Sequence, residues 1–180
     1  MALEHAILVS LGERVGSGYE LTRRFDKSIG FFWRATHQQI YRVLKRMDDA
    51  GWVTVEQVPQ DGKPDKKVYT VSEAGRAELA RWLAEPGEPS EMRDDLAVKI
   101  RGAAHGDLDA LLKEVARHRD RHAERLAVYR GIEARDFPDA DVLSGPALHQ
   151  YLVLRGGISA EHGFVSWCTE VLQALERGAR

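Results

Sequence analysis

Several things are scarce or missing in this chain, and each absence narrows what it can do. It has one cysteine, Cys168, so no intramolecular disulfide can form and no cysteine-based zinc cluster can be built. That fits a reducing compartment, and a cytoplasmic protein is expected. No apolar run reaches the roughly 18 residues that a membrane-spanning helix needs. The opening Met1-Ala2-Leu3-Glu4-His5 lacks the basic region and long apolar core of a signal peptide. Also missing are a glycine-rich phosphate loop, a His-Glu-x-x-His pair and a Gly-x-Ser-x-Gly elbow. Neither an enzyme nor a cofactor is expected.

An excess of one charge is lacking too. The formal net charge is -2, with 43% hydrophobic and 30% charged residues, ordinary for a globular protein and against one that coats itself in nucleic acid. The average hides local patches. From Arg34 to Arg46 the chain carries Arg34, Arg42, Lys45 and Arg46 and no acid. Lys63, Lys66 and Lys67 form a second basic cluster, partly offset by Asp61 and Asp65. DNA affinity follows such patches more than total charge, because each neutralised phosphate releases counterions. An ordinary solvated face has the same composition, so charge alone leaves both readings open.

What is present has a clear order. Ala2 to Glu13 places Leu3, Ala6, Ile7 and Leu11 on one helical face. Gly16-Ser17-Gly18 breaks that pattern, and Tyr19, Leu21 and Phe25 resume a helix that fades at Ser28 to Gly30. After the aromatic connection Phe31-Phe32-Trp33, Thr36 is the expected N-cap of a third helix running to Ala50, with Gly51 as its stop. Trp52 to Val58 and Lys67 to Val71 read as strands, joined by a turn-rich tip from Pro59 to Asp65. Ser72 caps a fourth helix whose apolar face holds Leu79, Trp82 and Leu83. Three helices, a hairpin and a closing helix, with a basic helix just before a basic hairpin, make a winged helix-turn-helix over residues 1–85.

Glu85-Pro86-Gly87-Glu88-Pro89-Ser90 marks a boundary, and residues 86–93 read as a linker. Residues 94–180 read as helix only: a short one from Asp94 to Ala104, a long one from Asp107 to about Arg135, and a last one containing Gly156-Gly157, where it could bend. Along the long helix Leu108, Leu111, Val115, His118, His122, Arg125, Tyr129 and Ile132 alternate spacings of three and four, a heptad seam with a polar centre. Two long amphipathic helices cannot cover themselves on a small winged module alone. Pairing with a second copy is the favoured solution; a monomer with its helices folded back as a hairpin is the alternative. The expected fold is mainly α with a small β-hairpin, an N-terminal winged helix-turn-helix followed by an α-helical dimerisation domain.

On a wheel of about 100° per residue, Ile40, Val43, Leu44 and Met47 form the buried sector of the third helix. Gln38, Arg42 and Lys45 face outward, flanked by Gln39, Tyr41 and Arg46. Glutamine can pair with adenine and arginine with guanine in the major groove, while lysine and tyrosine hold phosphates. Thr36, at the helix start, is placed to touch a phosphate. Lys63, Lys66 and Lys67 would reach the neighbouring minor groove or backbone. Two rival readings have their own residues. His118 and His122 lie one helical turn apart and, with Glu114 or a residue of another chain as third ligand, would make a metal-responsive regulator; polar seam histidines without metal are the expectation. A winged-helix module that binds proteins would lack the basic face.

The chain resembles the PadR family of transcriptional regulators, in its longer form with a helical C-terminal domain. The likeness lies in Ala6-Ile7-Leu8, Ser17-Gly18-Tyr19-Glu20-Leu21, Phe32-Trp33 and His37-Gln38-Gln39-Ile40-Tyr41. It continues through Leu44, Gly51-Trp52-Val53, Lys66-Lys67-Val68-Tyr69-Thr70-Val71, Gly75, Leu79 and Trp82-Leu83, and resumes at His149-Gln150-Tyr151-Leu152-Val153-Leu154 and Val165-Ser166-Trp167. The resemblance implies a homodimer that represses transcription from an inverted-repeat operator and is released by a small phenolic, aromatic or drug-like effector. It also implies an effector site at Tyr19, Trp33, His37 and Arg93, with His149 and Gln150 where the family has Gly-His. Such aromatic, histidine and arginine side chains can hold a flat anion; Tyr19 and Trp33 as plain core residues are the alternative.

Overall fold

In the computed structural model, which describes residues 2–27, 35–60, 63–87 and 94–178, the first helix is α1 (Ala2–Glu13). It is buried nearly all round: Ile7, Leu8 and Leu11 share the core with the polar Glu4, His5 and Ser10. A helix covered on all sides needs no apolar stripe, and α1 runs through the middle of the first of two compact units, Met1–Glu88 and Pro89–Arg180. Its buried polar groups are paired. Glu4 accepts from Arg46. His5 Nε2 lies 2.9 Å from Glu78 Oε1, and its ring stacks on Trp82 at 4.4 Å. The exception is the Ser10 hydroxyl, which has no partner among the described residues. Burying an unpaired hydroxyl is unfavourable, so Ser10→Ala should raise stability by about 1 kcal/mol in urea unfolding; a loss of stability would show that the hydroxyl is in fact satisfied.

Around α1 pack α2 (Gly18–Lys27), α3 (His37–Asp49) and α4 (Glu73–Ala84). The core holds Leu21 and Phe25 of α2 and Ile40, Val43, Leu44 and Met47 of α3, with Val53, Tyr69 and Val71 from the sheet. Both expected ends of α3 are present. Thr36 accepts from the Gln39 backbone and the Gln39 side chain accepts from the Thr36 N–H, a reciprocal capping box. At the other end Gly51 has φ +71°, and the Trp52 and Gly51 amides donate to the Met47 and Asp48 carbonyls, a Schellman stop. Ser72 caps α4 by accepting from the Gly75 amide at 3.0 Å.

The sheet has one more strand than the hairpin expected from sequence. β1 (Gly16–Ser17), β2 (Val53–Gln60) and β3 (Lys63–Val71) lie in the order β1-β3-β2, all antiparallel. Two residues are too few to show alternation, so the segment read as a break is also a strand. The turn expected over Pro59–Asp65 is shorter, because β2 continues through Pro59. Proline has no amide to donate, yet β2 is an edge strand and its register is irregular between Val58 and Gln60, the places where a sheet accepts proline. In α4, Leu83 is 67% exposed, not on the buried face as expected, whereas Trp82 lies there as expected, stacked on His5.

The second unit contains α5 (Asp95–Arg101), α6 (Leu108–Asp136) and α7 (Gly145–Gly178). The helices α6 and α7 fold back on each other as an antiparallel pair, and α7 runs through Gly156-Gly157 as one helix. The heptad seam of α6 is buried or half-buried along its length. Leu96, Val115, Cys168 and Leu172 form a cluster toward one end, and Leu126, Tyr129, Leu154 and Ile158 one toward the other. Between them Glu161, 7% exposed, accepts from Arg125 at 2.9 Å and pairs with His122. The histidines of the seam thus engage carboxylates: His122 that of Glu161, and His118 that of Glu114 at 3.4 Å. Among the described residues no group of three or more metal-ligating side chains is gathered, and no helix is long and apolar enough to cross a membrane.

Candidate nucleic-acid interface

The amphipathic pattern of α3 gives it two distinct faces. Ile40, Val43, Leu44 and Met47 are inside, and Gln38, Tyr41, Arg42 and Lys45 are outside. Among the described residues, the side chains of Gln38, Arg42 and Lys45 make no hydrogen bond or ion pair. These are donors and charges held on a rigid helix and left available. Thr36 and Gln39 are also exposed, but their side chains close the capping box, so their first role is to fix the helix end. Arg46, at the other end, is bonded to Glu4 and ties α3 to α1.

Tyr41 joins this face to the first turn of α2. It lies so close over Gly18 that a Cβ there would sit 2.4 Å from the tyrosine ring and would have to displace it. The same turn reaches the hairpin. Ser17 and Glu20 cap α2 reciprocally: Glu20 Oε2 accepts from the Ser17 amide at 2.8 Å and hydroxyl at 3.0 Å, and the Glu20 amide donates to Ser17 Oγ. The other carboxylate oxygen accepts from Lys66 Nζ at 2.9 Å. The outward face of α3, the start of α2 and the middle of β3 are therefore one continuous surface. Lys67, next to Lys66 on β3, points the other way and is exposed. Lys63 begins β3, and its side chain lies outside the described residues.

Glu20 was not among the residues singled out from sequence, although the Ser-x-x-Glu spacing of a capping box was there to be read. The Ser17 amide, then the Lys66 ammonium, holds its carboxyl at about 2, well below the usual range. A depressed carboxylate contributes stability above its unfolded value and loses it as pH falls toward the folded one. Glu20→Gln should therefore flatten the acid limb of stability against pH, in urea titrations between about pH 2 and pH 6. The effect is small, because the side chain is 45% exposed and solvent screens it; an unchanged acid limb would show the pair absent in solution. Arg24, also missed, donates to the carbonyls of Ser10 at 2.9 Å, Arg14 and Val15 at 3.0 Å, closing the end of α1.

The residues implied as an effector site fall into separate parts of the chain. Tyr19 is 62% exposed on the first turn of α2, not a core residue. His37 is exposed at the start of α3. His149 and Gln150 are exposed near the start of α7 in the second unit. Trp33 and Arg93 lie outside the described residues.

Comparison with known proteins bears on this geometry. Residues 7–81 match the model of the transcriptional regulator PadR-like family, and residues 92–176 match the virulence activator alpha C-terminal family. The chain is 56% identical to the probable transcriptional regulator Rv1176c of Mycobacterium tuberculosis, over 98% of both chains. It is 30% identical to the negative transcriptional regulator PadR of Bacillus subtilis, over 97% of this chain and 98% of that one. The structure of B. subtilis PadR in complex with operator DNA superposes with a TM-score of 0.86 at 28% identity, covering 97% and 99% of the two chains. That of the Vibrio cholerae virulence activator AphA superposes at 0.81 and 30% identity, covering 97% and 98%. The matched families and these relatives are regulators of transcription, not enzymes. With a winged helix-turn-helix followed by a helical domain, and a relative matched at both levels along nearly its whole length, the chain belongs to the PadR-like family of transcriptional regulators.

Proposed function

We propose that the chain is a homodimeric, cytoplasmic repressor that binds an inverted-repeat operator and leaves it when a small aromatic or drug-like effector binds. The observation that carries the DNA reading is the unpaired outward face of α3, Gln38, Arg42 and Lys45, beside a lysine-bearing hairpin. In this reading residues 1–85 are the DNA-binding domain, residues 86–93 a linker, and residues 94–180 the dimerisation and effector domain. Arg42 and Gln38 read base edges; Tyr41, Lys45, Lys67 and Lys63 hold phosphates; Thr36 and Gln39 present the helix start. The superposition on PadR with operator DNA supports it.

Self-association is supported by α7. Leu154, Ile158, Glu161, Cys168 and Leu172 are buried on its α6-facing side. Beside it a second apolar sector holds Val153, 51% exposed, and Ala160, flanked by Phe164, Trp167 and Val171, which are half-buried within the chain, Phe164 against His122. Gly156 and Gly163 lie in that sector, and among the described residues no atom comes near enough to require glycine at either. Glycine inside a helix costs about 0.5–1 kcal/mol relative to alanine. Close approach of a second copy would account for both. Effector control, with Tyr19, Trp33, His37, Arg93, His149 and Gln150 as its residues, is supported by a structure of B. subtilis PadR in complex with p-coumaric acid, at 27% identity and a TM-score of 0.82. Repression is taken from the negative regulator PadR; the similarity to a virulence activator makes the sign of regulation part of the test.

The test is selection from a randomised duplex pool, followed by titration of the enriched and scrambled duplexes at two salt concentrations. Enrichment of an inverted repeat, bound by two chains and weakened steeply by salt, is the expected result. Phenolic acids and drug-like aromatics are then screened for release, and a reporter behind the repeat reads the sign. Equal weak binding to both duplexes would overturn the reading and favour a protein partner.

A further inference from the structure

We propose that Glu20 withholds Lys66 from DNA phosphates, acting as a fixed counter-charge between the recognition helix and the hairpin that restrains non-specific binding; this rests on the DNA-binding reading above. Sequence alone groups Lys66 with Lys63 and Lys67 as one basic cluster reaching the minor groove or backbone. Structure separates it from Lys67. Lys66 is half-buried and bonded to Glu20 at 2.9 Å, whereas Lys67 is exposed and, among the described residues, unpaired.

The two members of the pair differ in freedom. Glu20 Oε2 is anchored by the Ser17 amide and hydroxyl, so the carboxylate cannot turn away without opening the cap of α2. Lys66 has a flexible stem and can leave. If it moves to a phosphate, the fixed carboxylate stays behind without its lysine on a surface facing a polyanion, and like charges repel. The low pKa of Glu20 keeps that charge in place at any pH where DNA is bound. Tyr41 over Gly18 and the pairing of Ser17 with Val68 set the carboxylate between α3 and the hairpin, within the surface that faces DNA in this reading.

Glu20→Gln keeps an oxygen to accept from Ser17 and removes the charge. One more lysine then becomes available to phosphate. The slope of log affinity against log salt should steepen by about 0.9, with binding to a scrambled duplex tightened roughly five- to ten-fold near 0.1 M salt. Lys67→Gln should make the parent's slope shallower by about 0.9, and Lys66→Gln by less than half of that. In the double variant Glu20→Gln/Lys66→Gln the steepening should vanish. A readout without DNA accompanies these: acetic anhydride labelling followed by mass spectrometry should find Lys66 slower than Lys67 in the parent and equal to it in Glu20→Gln. Equal labelling in the parent overturns the proposal. So does a Lys66→Gln slope as shallow as that of Lys67→Gln together with an unchanged Glu20→Gln slope. If no protein, the parent included, binds either duplex while Lys66 remains protected, the DNA-binding reading itself falls and takes the proposal with it, although the ion pair stands.

Discussion

A chain carrying Arg42→Glu and Lys45→Glu should lose operator binding by at least about a hundred-fold, while melting where the parent melts. Both side chains are exposed on α3 and engage no other described group, so changing them breaks nothing in the fold; surface substitutions of that kind stay within about 0.5 kcal/mol. For binding the arithmetic is different. A good arginine–guanine pair is worth about 1–3 kcal/mol, a lysine on phosphate releases a counterion, and each reversal adds repulsion. Fluorescence anisotropy on the selected duplex, with circular dichroism melting as the control for fold, decides it. Retained affinity in a folded double variant would mean that another surface reads DNA.

The largest structural effect is expected at Gly75. A Cβ there would lie 2.1 Å from the Trp52 carbonyl oxygen and 3.1 Å from Val71 Cγ1, and the first of these is backbone that cannot swing aside. The same carbonyl accepts from the Ser72 amide at 3.0 Å, while the Ser72 hydroxyl donates to the Gly51 carbonyl at 2.6 Å. A helix pushed outward would therefore lose its cap and its seam together. Gly75→Ala should cost about 3 kcal/mol, the upper part of the range for overpacking. Hydrogen exchange should quicken throughout the first unit and stay as it was in α6 and α7, which have their own cores. Gly12→Ala is the matched control. It lies in α1 with nothing within 4 Å, and should stabilise by about 0.5–1 kcal/mol. Equal stabilities of the two variants would show that α4 yields easily.

Where the sequence carried strong local chemistry, the structure was legible in it. Thr36 and Gly51 bound α3 because capping and a positive φ are set by the residues themselves. The buried set Ile40, Val43, Leu44 and Met47 followed from a 3.6-residue period, and the long seam of α6 from its heptads. The failures share a physical origin in groups whose partners are remote in sequence. β1 exists only because Gly16 and Ser17 meet β3. Pro59 reads as a turn until its strand is known to lie at an edge. Leu83 carries the right character for a buried position that Trp82 occupies. The partners of Lys66 and Gln39 are hidden in the same way: Glu20 is far from Lys66 in the chain, and the return of Gln39 to Thr36 depends on the shape of the helix start. The outward face of α3 was legible; which of its neighbours were already engaged was not.

The pairing of Gly16 with Tyr69 has a consequence for the order of events during synthesis. The ends of that contact are distant, so its closure carries the entropy of a long loop, and the sheet cannot be completed until β3 has emerged from the ribosome. By then nearly all of the first core has been made, while α7 is still untranslated. Domains fold as units, N-terminal first. The winged module can therefore reach its native form as part of a lone nascent chain, without help from a second copy, and substitutions that slow its closure act on each polypeptide singly, upstream of any assembly.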